Sequence, residues 1–459
     1  MSLFGSAILG FLLAVAILVT VHEFGHYLAA RWCGVRVLRF SVGFGPVLMR
    51  WMGRRGLFAG TEFAVSAIPL GGYVRMFDSR DPDVRQGVQD GDLTAAFDRQ
   101  VLWKRSFIVA AGPLANFILA AVLYAFALAL PERGLDTVIA PPSAQSPAAI
   151  AGLRGGERII AIDGNRVWHW GDVRWHLLTH LFSQELRLAV ESGGVEREIV
   201  LSRESTALSD EAQTRRRLEG WGLAFDQPAR IGLVKAGGPA AVAGLAAGDV
   251  IIAIDGQTVE QWLDVAERVR AAPDTALRLT VERAGRDRFE VTVTPRRERI
   301  DGQDVGRIDV GVASPLAEGS ERAVWVERGL IEATLEGVER AVDATLLTVR
   351  LLWGMVSGEV SLRQVSGPLT MAEGAGSTLK QGTTAFVLFL AIVSVSIGVL
   401  NLLPVPMLDG GQLLYHAAEA VKGAPLSERA ELIGQRIGVG FLSALTFLAL
   451  YNDLLRLLS

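Results

Sequence analysis

Four stretches of this chain carry no charged side chain over lengths that match the hydrocarbon layer of a bilayer, which leaves few folds open to it. They run from Leu3 to Val21, Ser106 to Leu130, Thr383 to Leu408 and, more weakly, Ile437 to Tyr451. A helix crosses a bilayer with roughly 20 apolar residues, and hydrocarbon offers its backbone no hydrogen-bond partners, so each run is expected as a helix. The chain has 459 residues of which 20% are charged, and its mean hydropathy is +0.33. Those values are too apolar for an ordinary soluble protein. The expected fold is a multi-span α-helical membrane protein with four transmembrane helices, placed at 1–30, 104–131, 382–411 and 432–455. Ile437 to Tyr451 is short and needs its flanks to span.

Charge placement orients these helices. No Lys or Arg precedes Arg31, so the basic region of a cleavable signal peptide is missing and the first helix is expected to stay as an anchor. Arg31, Arg36, Arg39, Arg99, Lys104 and Arg105 cluster near the ends of the 31–103 loop, which assigns that loop to the cytoplasm and both termini to the outside. Glu332, Glu336, Glu339, Arg340, Asp343 and Arg350 interrupt Ile331 to Val356. That stretch is therefore amphipathic and suited to a surface, within a periplasmic segment at 320–376. The lone Cys33 excludes an intramolecular disulfide and is read as an apolar filler. A net charge of −4 without basic runs gives no support for nucleic-acid binding.

The first span ends in His22-Glu23-Phe24-Gly25-His26. Positions i and i+4 of a helix share a face, so two imidazoles can meet one Zn²⁺ with Glu23 beside the open position as general base. The competing interpretation is a pair of polar residues marking the water interface. A catalytic zinc needs a third protein ligand, and Asp409 is the candidate. It follows Asn401-Leu402-Leu403-Pro404-Val405-Pro406-Met407-Leu408 and precedes Gly410-Gly411. Two prolines remove backbone donors, so this stretch should unwind, which is tolerated at membrane depth only against protein or a polar cavity. With four spans, parity brings Asp409 to the same face as His22 and His26. Locally, Asp409 can equally be a turn or cap residue.

Between the second and third spans lies a duplication. Pro147 to Val167 matches Pro239 to Val259, including Ile-Ile-Ala-Ile-Asp-Gly at 159–164 and 251–256. Each copy reads as a short helix, a Gly-punctuated turn, a buried strand, an Asp-Gly turn and a second helix. The pattern resembles PDZ domains, which bind extended peptides or C-termini by strand addition. Two tandem α+β PDZ-like extracytoplasmic domains are expected at 134–220 and 221–312. Leu223 and Val312 are candidate groove edges, with a structural role equally open. His176 and His180 repeat the i, i+4 spacing, but Leu177 stands where Glu23 does, so a solvated helix face is favoured there. The alternating stretch from Thr61 to Met76, within the β-rich 31–103 loop, reads either as strands that dip into the membrane and pair with an unwound substrate or as a structural hairpin.

Together, HEFGH, NLLPVPMLDGG and the paired repeats resemble the site-2 protease family of intramembrane zinc metalloproteases. Gly43-Phe44-Gly45, Pro69-Leu70-Gly71-Gly72-Tyr73, Gly112-Pro113-Leu114-Ala115-Asn116 and Ser366-Gly367-Pro368-Leu369 extend the resemblance over nearly the whole chain. It implies one Zn²⁺ on His22, His26 and Asp409, with Glu23 as base. It also implies substrate contacts from Asn401, Pro404, Pro406, Gly43, Gly45, Gly71, Gly72 and Tyr73. Asn116 is either polar support for the site or an amide bridging helices. The implied substrate is a single-span membrane protein in the bacterial inner membrane, such as an anti-sigma factor after a first periplasmic cut, or a signal-peptide remnant. The alternative is a non-hydrolytic PDZ scaffold or chaperone, which would need no Glu23. A metal transporter would be expected to show transport-like repeats, which are missing.

Overall fold

The computed structural model describes residues 3–80, 90–203, 220–259, 261–284, 288–300, 303–316, 320 and 322–458. The chain forms two compact units, one built from residues up to Leu130 and from Glu327 onward, the other from the region between.

The first unit opens with helix α1 (Leu3–Trp32), which runs unbroken through the HEFGH sequence. Strands β1 (Val37–Met52) and β2 (Glu62–Met76) follow, then α2 (Leu102–Ala129). The two long strands pair twice. Ser41 faces both Tyr73 and Ala64, Val42 faces both Gly72 and Val65, and Trp51 lies across from Phe63. Residues 39–42 are thus flanked by both halves of β2, with 47–52 beyond. The expected strand from Thr61 to Met76 is present, and its partner β1 was hidden by its Gly-Phe-Gly-Pro interruption. Beneath the ribbon, Tyr27, Ala30, Val37 and Ile108 are fully buried and tie it to α1 and α2.

The second unit starts at β3 (Glu132–Leu135), which pairs with β16 (Ala323–Val326). Its first module contains α3 (Pro147–Ile150), β4 (Arg158–Ile162), β5 (Asn165–Arg166), α4 (Trp170–Thr179), β6 (Glu185–Ser192) and β7 (Val195–Ser202). After β8 (Ile231–Val234), the second repeats that order with α5 (Pro239–Val242), β9 (Val250–Ile254), β10 (Gln257–Thr258), α6 (Trp262–Ala271), β11 (Leu277–Glu282) and β12 (Phe289–Val293). The sheet orders β5-β4-β6-β7 and β10-β9-β11-β12 correspond, as the duplication requires. Asp163-Gly164 and Asp255-Gly256 all have positive φ, the geometry of a tight hairpin that glycine and aspartate tolerate best. Both second helices begin with a capping box, His169 with Asp172 and Gln261 with Asp264. Strands β13 (Arg296–Ile300), β14 (Gln303–Arg307) and β15 (Val310–Val312) complete this unit, β15 pairing with β8.

The chain then returns to the first unit through α7 (Leu330–Ser357), α8 (Pro368–Gln381), α9 (Thr383–Asn401), α10 (Asp409–Lys422) and α11 (Glu428–Leu458). Among the described residues, four helices are long and apolar enough to cross a membrane: Gly5–Trp32, Leu102–Ala129, Thr383–Asn401 and Arg429–Arg456. The third ends at Asn401 rather than running toward Leu408, and a separate helix begins at Asp409. The fourth is longer than the run from Ile437 to Tyr451, taking in Arg429, Glu431 and Arg436 at one end and Asp453 and Arg456 at the other. Asp453 accepts from the Gly367 and Leu369 N–H groups, both at 2.9 Å, and from Thr370 Oγ1 at 2.6 Å. It thereby caps the start of α8. Helix α7 is amphipathic as expected, with Ile331, Leu335, Val342, Leu346 and Trp353 exposed. It packs closely on α2, where a side chain at Gly337 would strike the Ala125 backbone.

Candidate metal centre

Helical spacing alone aims His22 and His26 the same way, and their rings meet edge to face with centroids 4.8 Å apart. Their Nε2 atoms approach to 3.2 Å. Asp409 Oδ2 stands 3.2 Å from His22 Nε2 and 3.5 Å from His26 Nε2. Among the described residues these three form the one cluster of His, Cys, Asp and Glu suited to a metal, with ligand atoms within 4.8 Å of one another. A fold in which an extra crossing carried Asp409 to the opposite face is incompatible with those distances.

Helix α2 sets the rings. His26 Nδ1 lies 2.8 Å from the Ile108 carbonyl oxygen, and His22 Nδ1 lies 3.1 Å from the Asn116 side-chain amide. Each imidazole is gripped at its outer nitrogen, leaving Nε2 for the centre. Gly112 makes the approach feasible, because a Cβ there would fall 2.5 Å from His26 Cε1 and 2.9 Å from His22 Cε1. Gly25 serves the same purpose from α1, with a Cβ that would sit 2.7 Å from Ala115 Cβ and collide with the Ala111 carbonyl. Asn116 is fully buried, and its main-chain oxygen accepts from Ser394 Oγ of α9 at 2.8 Å.

Asp409 arrives by a broken helix. After Asn401 the chain turns tightly, with Val405 N donating to Leu403 O at 2.7 Å and Leu408 N to Val405 O at 3.0 Å. Pro404 and Pro406 lie in this connection, and Met407 takes φ 88°, a left-handed conformation that costs a non-glycine residue roughly 1–2 kcal/mol. Cβ atoms at Gly410 and Gly411 would overlap the carbonyls of Leu402, Leu403 and Val405, so the sharp return to α10 depends on both glycines. Asp409 becomes the first residue of α10, where the helix dipole favours a carboxylate.

Glu23 follows His22 on α1, with the ribbon beside it. A Cβ at Gly72 would lie 3.3 Å from Glu23 Cγ. Tyr73 stacks on Phe44 with centroids 6.3 Å apart. Gly43, Gly45 and Gly71 have φ of 89°, 82° and 147°, and a side chain at Gly71 would collide with the Phe44 ring. Of these ribbon glycines, Gly72 is the one that borders Glu23.

Other sequence candidates lie elsewhere. Leu223 is 6% exposed, its side chain within the core of the first module. Val312 pairs with Ile231. The second module has a cavity of about 340 Å³ between α6 and the β14–β15 stretch, lined by Trp262, Val265, Val269, Val305 and Ile308 among others. His176 is buried, not on a solvated face, and His180 pairs with Asp163 at 3.0 Å. Ile108 was not identifiable from sequence, since its contribution is a main-chain carbonyl that any residue supplies.

The residues present fit a divalent cation such as zinc. Asp409 Oδ2 is buried without a hydrogen-bond partner, yet faces two imidazole nitrogens whose outer positions are already engaged. Two nitrogens and one oxygen are donors that zinc accepts, and three of them leave a fourth position open. The model of peptidase family M50 matches residues 10–445. The regulator of sigma-E protease of Salmonella typhimurium is 36% identical over 450 residues, covering 97% of this chain and 98% of its own. The protein of that name from Haemophilus influenzae is 36% identical over 454 residues, covering 97% and 98%. A solved PDZ domain from Listeria monocytogenes overlaps 19% of this chain and 90% of its own at 20% identity, but the TM-score of 0.16 is too low to argue from. On the match across nearly its full length, this chain belongs to peptidase family M50.

Proposed function

We propose that the protein is a zinc-dependent intramembrane protease that hydrolyses peptide bonds in or near the spans of single-span membrane proteins. The observation that carries this is the meeting of His22 and His26, with Glu23 at hand, on a helix apolar enough to cross a membrane, with Asp409 at the start of α10. His22, His26 and Asp409 would hold the ion. Once bound, Zn²⁺ would polarise the scissile carbonyl and lower the pKa of the attacking water. Glu23 takes the proton of that water as it adds to the carbonyl and hands it to the amine nitrogen as the C–N bond breaks. The Ile108 carbonyl and Asn116 hold the imidazoles throughout. A helical substrate hides its peptide bonds, so it must be drawn out as a strand. The ribbon half at 72–76, which abuts α1 at Gly72, is suited to accept one by strand addition. Asn401, at the end of α9, is assigned to the substrate backbone or the developing oxyanion.

The arginine-rich ends of the 31–103 loop support a site near the cytoplasmic face of a bacterial inner membrane, with both termini and the two modules periplasmic. The names of two relatives point to sigma-E regulation, and the family resemblance implies an anti-sigma factor, trimmed by an earlier cut, as substrate. The PDZ-like modules would then select trimmed partners. The test is cleavage of a reconstituted single-span substrate together with zinc analysis. Glu23→Gln should hold as much zinc as wild type while losing roughly 10²–10⁴-fold in rate. Undiminished cleavage by Glu23→Gln would reject this chemistry.

A further inference from the structure

We propose that Asn116 is a positioning residue for His22, turning its carboxamide oxygen toward an Nδ1–H so that the Nε2 lone pair is directed at the ion; this rests on the zinc reading above. A neutral imidazole carries a single N–H, so a ring that ligates through Nε2 must keep its hydrogen on Nδ1 and give it to an acceptor. His26 meets that requirement with the Ile108 carbonyl at 2.8 Å, which can only accept. The Asn116 carboxamide, at 3.1 Å, stands at the same place for His22.

As placed, Nδ2 of Asn116 faces the ring, and Oδ1 is buried without a hydrogen-bond partner. That orientation assigns the hydrogen to His22 Nε2, where it meets Asp409 Oδ2 at 3.2 Å. A half-turn of the carboxamide exchanges oxygen and nitrogen within the same packing, gives Oδ1 a donor, and frees Nε2 for the ion. The residue itself does not shift in this exchange. It is 0% exposed, and Ser394 of α9 holds its main-chain oxygen at 2.8 Å. An amide serves both orientations, whereas an apolar residue of similar size serves neither.

The experiment measures zinc retention by full-length protein in detergent against a graded chelator, with zinc-edge X-ray absorption on the same samples. Asn116→Asp offers only acceptors and should keep zinc at least as tightly as wild type, with the wild-type absorption signature. Asn116→Leu offers none and should lose about 10–100-fold in zinc affinity, with weaker imidazole scattering. If Asn116→Asp loses zinc, the amide acts as donor or bridge and the inference is overturned, whether or not the Leu variant folds. Wild-type affinity in a folded Asn116→Leu protein overturns it equally. Wild-type protein that holds no zinc would instead reject the zinc reading itself, and the inference with it.

Discussion

Replacing Gly112 by Ala is the smallest change that should disable the centre. The added Cβ would fall 2.5 Å from His26 Cε1 and 2.9 Å from His22 Cε1, whereas carbon atoms rest about 3.5–4.0 Å apart. At least one ring must therefore retreat by roughly half an ångström to one ångström. Metal–ligand distances tolerate only about ±0.2 Å, so a shift of that size removes a ligand from effective reach. Neither ring can swing aside freely, because the Ile108 carbonyl and Asn116 hold the outer nitrogens. We expect zinc affinity to fall at least about 100-fold, equivalent to roughly 2.7 kcal/mol, with an overpacking cost of about 1–3 kcal/mol in stability. Chelator competition and thermal unfolding of the purified protein read the two effects. Gly440→Ala is the control, since nothing lies within 4 Å of its Cβ position; it should leave zinc untouched and strengthen α11 slightly. Wild-type zinc affinity in Gly112→Ala would refute the argument that glycine is what lets α2 close on the rings.

Asp409→Ala should lower bound zinc well below one ion per chain, and an unchanged metal content would remove Asp409 from the site. Gly72→Ala should press on Glu23 Cγ and the Ser41 carbonyl, lowering kcat by up to about 10²-fold while zinc content stays at the wild-type level; parallel loss of both would point to a general distortion of the ribbon instead. In the second module, burial would raise the Asp249 carboxyl, but the Arg283 guanidinium and the Ala246 N–H outweigh it and hold the group below the usual carboxylate range. A carboxyl depressed in the folded state stabilises above its unfolded value of about 3.9 and loses that contribution as pH falls through the folded value. Hydrogen exchange in β9 and β11 should therefore accelerate only below about pH 4. In Arg283→Ala the acceleration should already be present at neutral pH; equal protection in both proteins would dismiss the pairing as a source of stability.

What the sequence revealed and what it hid follow from the range of the forces involved. Spans, the HEFGH face and the duplicated Ile-Asp-Gly turns are local patterns, repeating at helical or strand spacing, and they reappear in α1, α2, β4 and β9. The unwinding after Asn401 was likewise legible from Pro404, Pro406 and two glycines. What stayed hidden depends on contacts distant in sequence. The strand β1 carries glycines and a proline that obscure its alternation, yet it is held between two halves of β2. The Ile108 carbonyl has no side-chain signature. Asp453 ends the uncharged run at Tyr451, and its partners at Gly367, Leu369 and Thr370 are far away in sequence.

The proposed centre takes its imidazoles from α1 and its carboxylate from the start of α10, beyond three of the long apolar helices. A nascent chain that has inserted only its leading spans carries Glu23, His22 and His26 but lacks the acidic partner. On the proposed chemistry, a nascent chain that stops short of residue 409 lacks one metal ligand and cannot hydrolyse a peptide bond.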